Sequence, residues 1–170
     1  NYHETKAHTS AEFPYNTYLC SIPLDFPGVP LHWHDELELV VIKRGQGFVS
    51  VDFDKRLVHS GDIIIIPPGC LHAIEQDDTF KMEYENIIFK PDLLSSGAND
   101  LCMIQYIVPL LDGSLPIEYF LTPALGSFEA LSNCIRQIDL VCADQTPGWQ
   151  LAVKSSLFNF FFLLISERQK

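Results

Sequence analysis

The fold is decided by two stretches of the chain: residues 32–45 read HWHDELELVVIKRG, and residues 61–72 read GDIIIIPPGCLH. In a β-strand, alternate side chains point to the same face. On a regular strand His32, His34 and Glu38 therefore share one face. The first stretch is predicted to line one surface with two imidazoles and a carboxylate.

The second stretch is predicted to form a short buried strand followed by a rigid turn. The four β-branched residues Ile63–Ile66 are too few for a helix and are typical of a strand buried on both faces. Pro67–Gly69 ends this strand, since proline fixes its backbone angle and cannot donate to a sheet. A meander of strands can bring His72, just beyond the turn, across a small barrel to His32 and His34. This convergence predicts a metal site or the floor of a ligand pocket.

Strand-like runs surround both stretches, and their number suits a β-barrel. Gly45–Gly47 is a turn signal, which predicts a hairpin between two of these strands. The predicted strands are Tyr15–Ile22, Leu31–His34, Glu38–Lys43, Phe48–Asp52, Arg56–His59, Ile63–Ile66, Leu71–Glu75 and Phe80–Phe89.

The composition changes from strand-like to helical near residue 91. A first amphipathic helix, ended by Asp112–Gly113, is predicted from the apolar residues Leu101, Ile104, Val108 and Leu111. A second helix is predicted from the stripe Phe128, Leu131, Ile135, Ile138 and Cys142. Pro147–Gly148 separates it from a last helix, Trp149–Glu167, and the two form an antiparallel hairpin. The predicted buried face of the last helix is Leu151, Phe158, Phe161, Phe162 and Ile165.

These residues resemble the two motifs of the cupin superfamily. Across Gly28–His72 the order is His-x-His, three residues, Glu, six residues, Gly, and later Gly, five residues, Pro-x-Gly, two residues, His. Two departures stand out. Gly28 lies nearer to His32 than the full motif places it, and Gln76 occupies the position where the superfamily has asparagine. Neither departure removes a candidate ligand.

A narrower resemblance is to the amino-terminal sensing domain of AraC-type transcription regulators, carried by residues 34–39, 61–63 and 67–72. It implies a mainly β, cupin-like jelly-roll barrel followed by carboxy-terminal α-helices. We expect residues 1–112 to form the barrel with its first helix. We expect residues 113–170 to form a helical dimerisation and linker region packed on the barrel, within one structural domain. The resemblance also implies DNA binding through a carboxy-terminal pair of helix-turn-helix units, which is not visible in this chain.

Composition narrows the classes of partner. With 22 acidic and 11 basic residues the net charge is -11, so phosphate backbones repel this fragment and nucleic-acid binding by it alone is not expected. Five cysteines without paired spacing indicate reduced thiols and a cytoplasmic location. The longest apolar stretch, Leu157–Ile165, is too short to span a bilayer, so no membrane partner is expected. The chain starts at Asn1 and its polar tail, residues 166–170, has no terminator, so we expect more protein to follow.

Two chemistries are open for His32, His34, Glu38 and His72. In the first, these residues bind a divalent metal, for which Zn, Ni, Fe, Mn and Co are suitable, with one or two positions left for water or ligand. In the second, the polar groups bond to one another and to water, or bind an organic ligand directly. The resemblance adds Tyr15 and Tyr18 as ligand-binding candidates, because the amino-terminal segment of such sensing domains can help close the pocket.

The predicted function is the sensing of a small molecule, a sugar or another polar metabolite, by an AraC-like regulator. The two long amphipathic helices offer more apolar surface than each other's faces need, which predicts a homodimer. The alternative is a metal-dependent cupin enzyme, a dioxygenase or sugar isomerase, that uses the same four residues with Glu36 as acid or base. A third possibility is a structural dimerisation module whose barrel binds nothing.

Overall fold

The structure is a computed structural model that describes residues 1–97 and 99–168. The chain divides into two compact units. The first unit comprises residues 1–91 and 119–122, and the second comprises residues 92–118 and those from 123 onward. Gln169 and Lys170, which belong to the predicted polar tail, lie outside the described residues.

Within the described residues the first unit contains eight strands joined in antiparallel pairs. The predicted strands at Tyr15–Ile22 and Ile63–Ile66 have the predicted bounds. The strands are β1 (Tyr15–Ile22), β2 (Gly28–His32), β3 (Leu37–Val51), β4 (Asp54–His59), β5 (Ile63–Ile66), β6 (His72–Gln76), β7 (Met82–Phe89) and β8 (Phe120–Leu121).

Strand β3 is 15 residues long and takes part in two sheets. Its first half, from Leu37, pairs with β5 and β7, whereas its second half, up to Val51, pairs with β4 and β6. Strands β1 and β8 extend the first sheet beside β7 and β5, and β2 extends the second beside β6. Two antiparallel sheets that share a strand form the mainly β, cupin-like barrel that the sequence predicts.

The hairpin predicted at Gly45–Gly47 is wrong, because β3 runs through these residues without a turn. The strand bends there instead. Its pairing with β7 shifts register between Ile42 and Arg44, and Gly45 has a φ of +78°. A Cβ atom at Gly45 would overlap the carbonyl oxygen of Lys81. Glycine supplies a positive φ and a close approach of two backbones, and a bulged strand uses both properties as a hairpin does.

The core of this unit holds together the strands that carry the candidate site. All four isoleucines of β5 are buried, as predicted for a strand covered on both faces. Each buried methylene contributes about 0.8 kcal/mol. Alternate residues of β3, β5 and β7 join one apolar cluster, namely Val40, Ile42, Ile64, Ile66, Met82 and Tyr84.

The second unit is helical. The predicted last helix is confirmed with its bounds, and the apolar stripe of the helix before it is buried except for Cys142, which is half-buried. Helices α2 and α3 pack against each other, as a helical hairpin requires. The helical elements are a π-helical segment at Met103–Ile107, α1 (Val108–Leu111), α2 (Phe128–Asp144) and α3 (Trp149–Glu167).

The first helix buries a different face from the predicted one. Leu101 and Ile104 are 65% and 62% exposed, whereas Ile107 and Leu110 are buried. The cause is the π-helical segment, whose hydrogen bonds span five residues instead of four. A pattern of three- and four-residue spacing does not keep its phase through such a segment.

Helix α3 also exposes residues that were predicted to be buried. Leu151 is 75% and Phe162 is 64% exposed, while the buried side chains are Val153, Leu157, Phe160, Phe161 and Leu164. The helix is apolar on most of its surface, so its sequence does not mark one face. By length and composition alone α3 could cross a membrane, a test that core helices of soluble proteins also pass.

Candidate metal and effector site

The structure brings His32, His34, Glu38 and His72 together inside the first unit. His32 ends β2 and pairs with His72 at the start of β6, and Glu38 lies near the start of β3. The three histidines each offer a ring nitrogen, and these atoms lie within 4.8 Å of one another. The Glu38 carboxylate completes the group, because its Oε2 lies 3.0 Å from His34 Nε2 and 3.1 Å from His72 Nε2.

Main-chain carbonyl groups hold all three imidazoles in place. A carbonyl oxygen only accepts a hydrogen bond, so each Nδ1 carries a proton and donates it, which leaves Nε2 to face the cluster. Metal-binding histidines in proteins are commonly oriented in this way. The three contacts from Nδ1 are His32 to Pro30 O at 2.8 Å, His34 to Glu36 O at 3.1 Å, and His72 to Cys70 O at 2.9 Å.

Each Nε2 atom also faces an acceptor. Glu38 serves His34 and His72, although the buried His72 Nε2 is not aligned for a hydrogen bond. His32 Nε2 lies 3.4 Å from Oε2 of Glu4. A ring with acceptors at both nitrogens is satisfied only as a cation or as a metal ligand. Three imidazolium ions this close would repel one another, whereas one divalent cation shared by the three ring nitrogens avoids this repulsion. The donor set therefore fits a metal ion.

The pKa values of these side chains are shifted by burial on one side and by their charged or hydrogen-bonding neighbours on the other. Burial lowers the pKa of His32, and the neighbouring His72 lowers it further. Burial would lower the pKa of His34 too, but the Glu38 carboxylate outweighs this effect and the pKa is raised. Burial would raise the pKa of Glu38, yet the hydrogen bond from His34 and the close approach of the His72 ring bring it down to about 2. Glu38 is therefore anionic at neutral pH, as a metal ligand must be.

A cavity of about 230 Å³ opens beside the cluster. Tyr15 is not among its lining residues, and its ring instead lies 5.7 Å from that of Phe13. Tyr15 and Tyr18 differ in parity along β1, so they point to opposite faces of the strand. The predicted site residues that line the cavity are His32, His34, Glu38, His72 and Tyr18.

Two polar residues of β7 that sequence reasoning missed also line this cavity, namely Tyr84 and Asn86. Within the described residues, Asn86 Oδ1 is buried without a hydrogen-bond partner, and the buried Tyr84 hydroxyl contacts the Cys20 thiol, which is a weak hydrogen-bonding group. Burial raises the pKa of Tyr84, so its phenol remains protonated. Alternation in the predicted strand places both residues on one face with Met82 and Ile88. An asparagine on an otherwise apolar face was the available clue.

The amino-terminal segment, residues 1–14 before β1, supplies three more lining residues, Glu4, Lys6 and His8. In the described part of the chain this segment makes one isolated bridge, between His3 and Trp33. No periodicity in the sequence announces these contacts, because tertiary packing alone brings the segment to the barrel.

Glu36, the acid or base of the enzyme alternative, is buried but is not among the residues that line the cavity. Its carboxylate Oε2 lies 3.6 Å from Nδ1 of His34, the same atom that donates to its main-chain carbonyl. Glu36 therefore contacts the His34 ring at the nitrogen that faces away from the cluster.

Comparison with known proteins gives one family and several relatives. A model of the AraC-like ligand-binding domain matches residues 27–161. The HTH-type transcriptional regulator YdeC of Bacillus subtilis (strain 168) is 32% identical over 158 residues, which are 92% of this chain and 53% of that protein. The HTH-type transcriptional activator RhaR of Mannheimia succiniciproducens is 32% identical over 69 residues, which are 41% of this chain and 24% of that protein. The chain spans about half of YdeC and a smaller part of RhaR.

Similar solved structures include one named as a cupin protein and one named as a predicted oxalate decarboxylase. A cupin protein from Bacteroides fragilis is 24% identical, with a TM-score of 0.44 over 50% of this chain and 73% of that chain. A predicted oxalate decarboxylase from Thermotoga maritima is 26% identical, with a TM-score of 0.40 over 44% of this chain and 64% of that chain. Both likenesses extend over no more than half of the present chain.

Proposed function

The chain belongs to the family of AraC-like ligand-binding domains, and we propose that it senses a small polar molecule in the cavity beside the histidine cluster. The observation that carries this proposal is a pair of buried polar atoms on residues that line the cavity: Asn86 Oδ1, which has no partner among the described residues, and the Tyr84 hydroxyl, which has the weakly bonding Cys20 thiol beside it. A buried polar group without a partner costs roughly 1–3 kcal/mol. A ligand that bonds to both atoms removes that cost.

The chemistry of the lining defines the ligand class. The Tyr84 phenol can donate and accept, and Asn86 Oδ1 accepts, so a ligand with neighbouring hydroxyl groups is suited to both. The cavity volume of about 230 Å³ lies below the range of roughly 300–1,000 Å³ that is usual for drug-sized ligands. We therefore propose a monosaccharide or a polar metabolite of similar size.

The proposal includes a divalent metal held by Nε2 of His32, His34 and His72 and by the Glu38 carboxylate. Three imidazoles and a carboxylate suit Zn, Ni, Fe, Mn or Co. When bound, the metal would supply a Lewis-acid position for an oxygen of the ligand. The protein's own groups orient the three rings through main-chain carbonyls and keep Glu38 ionised.

The proposed output is a change in DNA binding by another part of the whole protein. Two relatives bear the name of HTH-type transcriptional regulators, and both are longer than this chain. The net charge of -11 opposes direct contact of this domain with DNA. Ligand binding shifts such an output only if the ligand prefers one of two arrangements of the protein. We place this function in the cytoplasm, where a DNA-binding regulator acts.

We propose a sensor rather than a metal-dependent cupin enzyme, although the same four ligands would serve either. An enzyme needs an acid or base within reach of the bound substrate. Glu36, the candidate for that task, does not line the cavity and contacts His34 Nδ1 instead.

The effector proposal is tested by thermal unfolding and calorimetric titration with a panel of monosaccharides, polyols and sugar acids. We expect a binding member to stabilise the wild type by about 2.7 kcal/mol at a concentration of 100 Kd. Tyr84→Phe should weaken that ligand about 10-fold, since a buried hydrogen bond is lost. Tyr2→Phe, at an exposed tyrosine that does not line this cavity, is the matched control and should change nothing. Equal binding by Tyr84→Phe, or binding of apolar compounds alone, would contradict the proposed ligand class.

We further propose that the helical unit forms a homodimer. An apolar cavity of about 620 Å³ in this unit is lined by Tyr106, Phe158 and Phe162 among others, and all three side chains are exposed. Leu101, Ile104 and Leu151 are exposed as well. Exposed apolar residues that line a cavity of this kind commonly mark a protein interface, and a two-fold dimer covers the same patch on both copies.

The dimer is tested by placing a charge on this surface. Phe162→Glu should raise the dimer dissociation constant at least about 100-fold, because an unpaired charge in an apolar interface is costly. The control Gln137→Glu adds the same charge at an exposed position of α2 that does not line the cavity. Sedimentation velocity over a concentration series measures the change. A monomeric wild type, or a dimer unaffected by Phe162→Glu, would contradict this interface.

A further inference from the structure

The amino-terminal segment is fastened beside the histidine cluster by its main chain. The Glu4 amide donates to the Trp33 carbonyl oxygen at 2.9 Å, and the Trp33 amide donates to the Tyr2 carbonyl oxygen at 2.9 Å. The ring of His3 stacks on that of Trp33, with centroids 4.1 Å apart. Trp33 lies between two candidate ligands, so these contacts fix the start of the segment next to the site.

This attachment directs the Glu4 side chain to the cluster. Glu4 Oε2 lies 3.4 Å from Nε2 of His32 and 3.1 Å from Nε2 of His8. The Glu4 side chain is 30% exposed and that of His32 is 17% exposed, so this carboxylate lies on the more open side of the site. His8 is in turn 3.3 Å from the Tyr18 hydroxyl, which also lines the cavity. One oxygen atom of the segment therefore faces the metal-binding nitrogen of His32.

The balance of charge around a bound divalent cation also favours a second carboxylate ligand. With three neutral imidazoles, Glu38 supplies one negative charge to a divalent cation, which leaves one positive charge uncompensated in a largely buried site. Burying an unpaired charge is costly, and a bound cation is often the largest local charge. A second carboxylate balances the cation, and within the described residues Glu4 is the carboxylate that contacts His32 Nε2.

We propose that Glu4 is a further ligand of the metal and that metal binding thereby fastens the amino-terminal segment over the barrel. The inference rests on the metal proposed above. Without metal, Glu4 is shared between His8 and His32 and the segment is held by the contacts around Trp33. With metal, an ionic bond to the barrel is added, so the order of residues 1–8 reports whether the site is occupied. The order of this segment at the protein surface would then depend on whether a metal ion occupies the site.

The test uses Co²⁺ alone as the probe, on protein purified without a nickel column. Co²⁺ affinity and the visible absorption of the bound ion are measured by titration, and hydrogen exchange follows residues 1–8 with and without Co²⁺. We expect Glu4→Gln to bind Co²⁺ roughly 10-fold more weakly and with a changed absorption spectrum. Co²⁺ should protect residues 1–8 in the wild type and not in Glu4→Gln. Glu12→Gln, an exposed carboxylate of the same segment, is the matched control and should behave as the wild type.

The outcomes separate this inference from the metal proposal on which it rests. If the wild type does not bind Co²⁺, the metal proposal fails and the role of Glu4 fails with it. If the wild type binds Co²⁺ and Glu4→Gln matches it in affinity, spectrum and protection, the metal proposal stands and Glu4 is not a ligand. Circular dichroism confirms that each variant is folded, and Gln retains the size of the partly exposed Glu side chain.

Discussion

Replacing His72 with alanine is expected to weaken Co²⁺ binding at least about 100-fold, since the outer-shell partners of metal ligands alone are each worth roughly 10- to 100-fold in affinity. His72 is 1% exposed, its Nδ1 is fixed by the Cys70 carbonyl, and its Nε2 has no aligned hydrogen bond. Among the three Nε2 atoms of the cluster, that of His72 is the buried one without a hydrogen-bond partner in residues 1–97 and 99–168. Titration by absorption and metal analysis by mass spectrometry measure the loss.

Two further variants make the result specific. His59→Ala removes an imidazole whose side chain is exposed and lies 3.9 Å from Asp62, so Co²⁺ binding should not change. Glu38→Gln keeps the size of the side chain and removes its charge, and we expect a loss comparable to that of His72→Ala. Wild-type affinity in both His72→Ala and Glu38→Gln would show that the cluster is not the metal site.

Replacing Gly45 with alanine is expected to lower the free energy of unfolding by at least about 3 kcal/mol, more than the roughly 1–2 kcal/mol that a left-handed backbone costs an ordinary residue. The added Cβ would overlap the Lys81 carbonyl oxygen, so β3 and β7 would have to separate where β3 bends. Urea unfolding followed by tryptophan fluorescence measures the change.

Gly61→Ala is the matched control for this substitution. Gly61 also has a positive φ, +98°, but a Cβ atom there meets nothing within 4 Å. The difference between the two variants therefore isolates the steric overlap from the backbone strain. Equal destabilisation by the two substitutions would mean that the approach of Lys81 to Gly45 places no constraint on the fold.

The sequence predicted what depends on local pattern. The run Ile63–Ile66 and the bounds of α3 follow from residue type, length and the breaker Pro147–Gly148. The four candidate ligands could be proposed from residue type and spacing, although β2 ends at His32 and β3 begins at Leu37, so His32, His34 and Glu38 do not share one regular strand as predicted. These features need no knowledge of how distant segments meet.

Features that depend on distant contacts were missed. Gly45 looked like a hairpin turn because the close approach of Lys81, 36 positions later, leaves no trace nearby. The buried face of the first helix differs from the predicted one because of a π-helical segment, and no residue type in the sequence indicates that segment. Glu4 was missed because the amino-terminal segment reaches the barrel through main-chain bonds to Trp33, which any sequence could make. Tertiary geometry decides each of these, and single-sequence patterns do not encode it.

The course of β3 links the barrel wall to the candidate site. A straight strand would hold Glu38 and Val51 about 40 Å apart. In the structure Glu38 lies 3.1 Å from the His72 ring, and Val51 pairs with His72 across the sheet. The strand therefore curls so that residues near both of its ends lie beside His72. Gly45 lies close to the midpoint of this curl. A cation bound by Glu38 and His72 would connect the two ends of β3, so a change in the circumference of the barrel would alter the geometry of the cation site.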